Sequence, residues 1–425
     1  MAIEAFNGIL QIIFRILAAS WWFVLPFILL PVFLDFWLMA IRFKYISKIK
    51  WNLLEIKIPR EILKTPKAME LVFAATYSLY DSKKFVDIWW KGEMQLWMSF
   101  EMTGHAGGIR FYARVPAAFR NMIESAIYSQ YPDIEIVEAE DYVDALPSVL
   151  PNKVYDLWGN NFILAKPNAY PIQTYPFFED ITKEKRLDPV AVITEALSKT
   201  KDDEMSWIQL LIRPVGDSWK KEGEALVSKL IGRKTKKERT ILEDLGVFFG
   251  NLIKAPFTSP VWPDGEQKEG PATNLGSLTP GERDVVAAVE NKISKLGFES
   301  ILRFVYIDKA DAFTKSNVSS VFGAIRQFTT QHLNGFKFDS PTTTKADPPF
   351  KARKTYIRKR RIFDSYRWRL FPFFLKPKTL PILNTEELAT IYHFPTTFVE
   401  APTLKHLDSK RGEPPAELPI ATDNE

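Results

Sequence analysis

Residues 107–136 read "GGIRFYARVPAAFRNMIESAIYSQYPDIEI", and the fold turns on how this stretch is read. Ile109, Phe111, Ala113 and Val115 alternate with Arg110, Tyr112 and Arg114, the two-residue period of a half-buried strand. Pro116 then opens a helix, "PAAFRNMIESAIYSQY", because proline suits a first turn whose N–H has no partner. Pro132 stops it, and "IEIVE" reads as a second strand. On the other side, "TGHAGG" is a turn and "MQLWMSFEM" (94–102) an alternating run, so a hairpin precedes the helix. Further back, "NLLEIKI" (52–58) is a strand, and Pro66 opens a helix over "PKAMELVFAATYSLY".

The order strand, helix, strand, strand, helix, strand is that of a split-βαβ, ferredoxin-like unit. A similar pattern follows after residue 187. "DPVAVITEALSKT" is a helix with Asp188 at its N-cap, and "MSWIQLLIRPVG" is a strand. "DSWKKEGEALVSKLIG" is an amphipathic helix. "LTPGERDVVAAVENKISKLG" begins with Thr279, Pro280 and Glu282, the spacing of a capping box. "FESILRFVYID" is a strand and "SNVSSVFGAIRQFTTQHL" a helix. The sequence therefore predicts an α+β chain with two ferredoxin-like antiparallel-sheet units.

The chain begins differently. Ile16 to Leu34 carry no charge, between Arg15 and Asp35, and 19 residues at about 1.5 Å each match the ~30 Å core of a bilayer. Apolar character resumes to Ile41, so the span can slide, and Pro26 and Pro31 are potential kinks. Arg42, Lys44, Lys48 and Lys50 follow. The positive-inside rule then sets the N-terminus outside and the bulk of the chain in the cytoplasm. No small-x-small cleavage site precedes the basic cluster, which argues against a removed signal peptide.

The segments divide as follows: 1–50, transmembrane anchor with a basic inner flank; 51–140, first α+β unit; 141–187, a connection rich in proline and aromatics; 188–340, second unit, with a polar insertion near 233–276. A basic segment (341–381), a short capped helix (382–399) and a Pro-rich tail (400–425) complete the chain.

The sequence has no cysteine, which excludes disulfides, thiolate zinc sites, iron–sulfur clusters and a cysteine nucleophile. Its four histidines, His105, His332, His393 and His406, are far apart. No phosphate-cradling P-loop, zinc-protease H-E-x-x-H, nucleophile elbow or dinucleotide fingerprint occurs. The acid pairs Glu140/Asp141 and Asp202/Asp203 read as solvated surface. The sequence thus predicts no catalytic residue, no cofactor and no metal.

Charge concentrates in "KARKTYIRKRRIFDSYRWR" (351–369). Lys351, Arg353, Lys354, Arg358, Lys359, Arg360, Arg361, Arg367 and Arg369 stand against one acid, with Tyr356, Tyr366 and Trp368 interleaved. Four readings fit: a solvated strand or loop, a contact to anionic lipid, single-stranded nucleic acid, or an acidic partner. In "LNTEELATIYHFPT" (383–396), Asn384 is an N-cap with Glu387 three residues on. Leu388, Ile391 and Tyr392 share one face, a candidate for docking a partner.

Residues 107–136, "LTPGERDVVAAVENKISKLGFE" and "ILNTEELATIYHFPTTFVEAPTL" with "SKRGEPPAELP" resemble the membrane-anchored N-terminal region of bacterial conjugation or type IV secretion ATPases of the HerA/TraG-like kind. The resemblance covers most of residues 50–425. In those proteins a P-loop motor follows this region, and none is found here. The resemblance therefore implies a non-catalytic adaptor at the bacterial inner membrane, working with an ATPase on another chain and open to homo-oligomerisation. A membrane-tethered nucleic-acid binder is the alternative.

Overall fold

The computed structural model describes residues 2–59, 62, 64–106, 108–178, 188–232, 278–371 and 380–395. Helix α1, Ala2–Ile46, runs unbroken through Pro26 and Pro31. Its stretch Leu25–Ile46 is long and apolar enough to cross a membrane, and none of it is buried within the protein.

Nine strands form one antiparallel sheet: β1 (Trp51–Lys57), β2 (Met98–His105), β3 (Gly108–Pro116), β4 (Glu135–Glu138), β5 (Tyr155–Leu164), β6 (Met205–Pro214), β7 (Gly297–Lys309), β8 (Phe336–Phe338) and β9 (Ile382–Asn384). Along the sheet the order is β4-β1-β3-β2-β6-β7-β5-β8, with β9 paired to the start of β7. Each half runs fourth, first, third, second. The two units expected from sequence do not form separate sheets: β2 pairs over its full length with β6, from Met98↔Ile212 to His105↔Met205. β6 is largely apolar on both faces, as a strand covered above and below requires, whereas β2 is apolar toward one face and carries Ser99, Glu101, Thr103 and His105 on the other.

One face carries the main core. Phe100 and Met102 of β2, Phe111 and Ala113 of β3, Ile208 and Leu210 of β6, and Leu302 and Phe304 of β7 point to it. Five helices cover them: α2 (Pro66–Thr76), α3 (Arg120–Gln130), α4 (Pro189–Ser198), and two further elements, Ser316–Arg326 and Thr385–Ile391. Gly104 permits one close approach, since a Cβ there would lie 2.3 Å from the Leu197 carbonyl oxygen at the end of α4. Asp188 caps α4 as expected, accepting from Val190 N and Ala191 N.

Helices α5 (Lys220–Leu230) and α6 (Pro280–Ser294) lie between β6 and β7 in sequence and pack on each other through Val227, Val286 and Val289. Most of the polar insertion, and the tail 400–425 with His406, fall outside the described residues. The capping box of α6 is present: Thr279 Oγ1 accepts from Glu282 N and Thr279 N donates to Glu282 Oε2. Thr279→Ala is expected to cost about 1 kcal/mol, read as a shifted denaturant midpoint. Helices α7 (Ser316–Arg326), α8 (Lys351–Arg367) and α9 (Thr385–Ile391) complete those among the described residues. The second face of the sheet holds α8, the segment 142–150 and the foot of α1, through Tyr45 and Ile46.

Candidate functional site

The basic segment is a 17-residue helix, α8, not a strand or loop. Lysine and arginine are good helix formers, and Ile362, Phe363 and Tyr366 give it an apolar stripe. That stripe packs with Val143, Leu157, Trp207 and Val305. Gly159 of β5 admits the contact, because a Cβ there would come within 3.0 Å of Ile362.

The nine basic residues separate into two groups. Four are tied to the protein. Lys359 Nζ donates to both Asp156 oxygens at 2.5 and 2.7 Å. Arg358 donates to the Thr343 carbonyl at 3.2 Å and to that of Lys345. Arg367 pairs with Asp144 at 2.7 Å. Arg369, 1% exposed, lies inside and cannot meet an anionic partner. The other five, Lys351, Arg353, Lys354, Arg360 and Arg361, are exposed and make no ion pair among the described residues. Tyr356 and Trp368 are exposed beside them.

Arg369 is set by the way α8 ends. Its φ is +50°, the left-handed conformation usually given to glycine after a helix. Arg369 N donates to the Tyr366 carbonyl and Leu370 N to that of Ser365, the paired closure of a Schellman motif. The turn drops the guanidinium onto the seam of the sheet. There Nε and Nη2 donate to the two oxygens of Glu101 at 2.9 and 3.0 Å, and Nη1 and Nη2 to Asp141. Asp141 is therefore an ion-pair partner and not the solvated acid expected. Asp203 does remain at the surface, 2.8 Å from Lys309 Nζ.

Glu101 also accepts from Ser99, Tyr142 and Gln209, at 2.7, 2.6 and 2.9 Å. Burial alone would raise the Glu101 carboxyl, but the Arg369 guanidinium beside it holds it down at about 2. Arg303 of β7 donates to Gln209 at 2.7 Å, to Asn161 at 2.9 Å and to the Ser365 and Leu370 carbonyls. With no carboxylate in contact, burial brings its guanidinium down to about 10. This network spans β2, β6 and β7 and fixes the end of α8 to both halves of the sheet. Reading the basic run by composition missed it. The available signal was Gln209 in "WIQLLI" and Arg303 in "ILRFVYI", polar residues in strands otherwise apolar on both faces.

The second expected site has also been taken up internally. Leu388, Ile391 and Tyr392 of α9 are at most 1% exposed, packed into the core near Phe100 and Phe111, so they offer no face to another protein. The predicted capping box is there: Asn384 Oδ1 accepts from Glu387 N at 2.8 Å, and Asn384 N donates to Glu387 Oε2 at 2.9 Å. Glu387 also accepts from Ile172 N at 2.8 Å and pairs with Lys292 at 3.0 Å, with both side chains fully buried. Burial pushes Lys292 down and Glu387 up, each opposed by the other's charge. Beside them, Lys295 bridges Glu70 at 2.7 Å and Glu386 at 2.5 Å. His393 contacts the Ala389 carbonyl at 2.7 Å and Asp188 at 2.9 Å, the helix-end role rather than a ligand's. Among the described residues no group of three or more His, Asp or Glu is placed to hold a metal ion.

A search of curated proteins gives no match to the chain. Residues 51–406, the sheet with its covering helices and the segment beyond α9, match the family described as a domain of unknown function, DUF8128. The match covers most of the sequence, and the chain belongs to that family.

Proposed function

We propose that this protein is a non-catalytic, membrane-anchored scaffold. In this reading α1 crosses the bacterial inner membrane with its N-terminus outside, and the rest lies in the cytoplasm, each half of the sheet being a ferredoxin-like unit. The exposed bases of α8 recruit an acidic partner. The resemblance to secretion and conjugation proteins makes that partner a cytoplasmic P-loop ATPase of a type IV secretion-like machine.

One observation carries the reading. The strongest charges of the interior are spent on one another in the Glu101–Arg369–Asp141 and Lys292–Glu387 groups. A run of five exposed bases without an ion pair among the described residues is left on the outer face of α8: Lys351, Arg353, Lys354, Arg360 and Arg361. A face of this kind attracts anions and speeds encounter with an acidic surface.

The test uses tagged full-length chain purified from native membranes. Wild type is expected to bring down an ATPase, and the triple variant Arg353→Glu, Arg360→Glu, Arg361→Glu to lose it while remaining folded. Equal recovery by both, or no ATPase with either, would refute the recruitment.

The exposed rings of Tyr356 and Trp368 favour a second reading, a grip on single-stranded nucleic acid. If all five free bases meet phosphates, log affinity should fall with log salt at a slope of about −3.5. A flat response would sink this reading and leave the first untouched.

A further inference from the structure

Residues 81–93, "DSKKFVDIWWKGE", carry an apolar group with no place in the core. Phe85, Val86 and Trp90 are 67%, 59% and 71% exposed, the Phe85 ring against that of Trp89 at 5.8 Å. A single π-helical turn, Asp87–Lys91, holds this group out from the sheet.

The turn is fastened to α1 rather than to the sheet's core clusters. Trp37 Nε1 of α1 donates to the Trp89 carbonyl at 3.0 Å. Gly92, at φ +69°, lies so close that a Cβ there would sit 2.5 Å from the Ile41 carbonyl carbon and oxygen. The contact falls at residues 37–41, inside the apolar stretch Leu25–Ile46 and roughly 7–14 Å before its end, at 1.5 Å per residue. The exposed rings thus stand level with the last turns of the apolar helix. The charges among them are neutralised locally: Lys91 pairs with Asp87 at 2.7 Å, and Lys83 with Asp81 and Glu93 at 2.5 and 3.0 Å. Lys44, Lys48, Lys50 and Lys84, all exposed, surround the base.

We propose that residues 85–90 form a second membrane contact, in which Phe85, Val86 and Trp90 enter the headgroup layer of the bilayer that α1 crosses. The inference rests on the reading of α1 as a membrane span. Three features commit the surface to lipid. It is continuous with the unburied apolar side of α1. Its Trp37, Trp89 and Trp90 are the residues that favour the membrane–water boundary. Its free lysines match an anionic leaflet. A short element held at this depth adds a second point of attachment to the single helix. It restricts how the sheet, and with it α8, can swivel beneath the membrane.

The absence of cysteine makes a direct test simple. Nitroxide labels are placed on the full chain at Val86→Cys and Trp90→Cys, with Phe33→Cys on α1 and Lys351→Cys on α8 as references. The chain is reconstituted in phosphatidylcholine vesicles containing phosphatidylglycerol. Labels at 86 and 90 are expected to resemble the label at 33, protected from a water-soluble nickel complex and accessible to oxygen, while the label at 351 behaves oppositely. A protected label at 33 with labels at 86 and 90 as nickel-accessible as that at 351 overturns the second contact and leaves the anchor standing. Protection at 86 and 90 with spin–spin broadening that disappears on dilution with unlabelled chain overturns it in favour of a second copy. A nickel-accessible label at 33 removes the anchor itself and the inference with it. Both labelled positions are solvent-exposed, so neither substitution disturbs packing.

Discussion

Replacing Arg369 by methionine is expected to lower the unfolding free energy of the detergent-solubilised chain by about 3–5 kcal/mol, the cost of leaving a buried charge unpaired. Glu101 would stay in place with hydrogen bonds from Ser99, Tyr142 and Gln209 but no cation. Removing both charges, with Glu101→Met beside Arg369→Met, should cost less than the sum of the single losses, because the two residues act as one unit. The pH dependence gives a sharper reading. In the wild type the Glu101 carboxyl titrates at about 2, against an ordinary 4.5, so the unfolded chain holds more protons in between. The contribution of Glu101 is complete above about pH 4.5 and is lost as pH falls toward 2. In Arg369→Met, burial is opposed only by the remaining hydrogen bonds, from Ser99, Tyr142 and Gln209, so the carboxyl rises from its wild-type position and the acid limb shrinks. Urea titrations across pH decide the matter: a variant with an unchanged midpoint, or an unchanged acid limb, would show that the guanidinium does not hold this carboxylate.

Glu387→Ala is the second large expected loss, again about 3–5 kcal/mol. One side chain serves three partners: it completes the cap of α9, accepts from Ile172 N and neutralises Lys292. Its removal strands Lys292 with a single 3.3 Å contact to the Tyr170 carbonyl. Hydrogen exchange should show the loss first in β9, α9 and residues 170–175, before the β2–β6 seam opens. The pair Lys292→Met with Glu387→Gln removes both charges and keeps one acceptor, for either the Asn384 or the Ile172 N–H, and should recover part of the stability. If that double variant is as unstable as Glu387→Ala, the buried ion pair is not what holds α9 in place.

These two clusters also mark where the sequence was legible. Local rules served well where the interacting residues are close together. Thr279 with Glu282 and Asn384 with Glu387 announce their boxes three residues apart, Asp188 caps the helix that follows it, and the β2–β3 hairpin follows from the alternation on either side of its turn. The same rules failed on α8. Nine bases in one run look uniform, yet the fates of Lys359 and Arg369 depend on Asp156, Glu101 and Asp141, more than 200 residues away. Helical spacing likewise put Leu388, Ile391 and Tyr392 on one face, but spacing does not say whether that face meets another molecule or the chain's own sheet. The single sheet was hidden for a related reason. Its seam joins β2 to β6 across about a hundred residues, and the local trace is that β6 is largely apolar on alternate and intervening positions alike.

The ends of that sheet have a consequence for assembly. Its outer strands are β4, four residues with glutamates at both ends, and β8, three residues centred on Lys337. Such borders are too short and too charged to template a neighbour's backbone, which is how many sheet proteins avoid polymerising into ribbons. Copies of this chain brought together on a membrane would therefore meet through side chains, on helical surfaces or along α1, and the ladder would not grow from one molecule into the next.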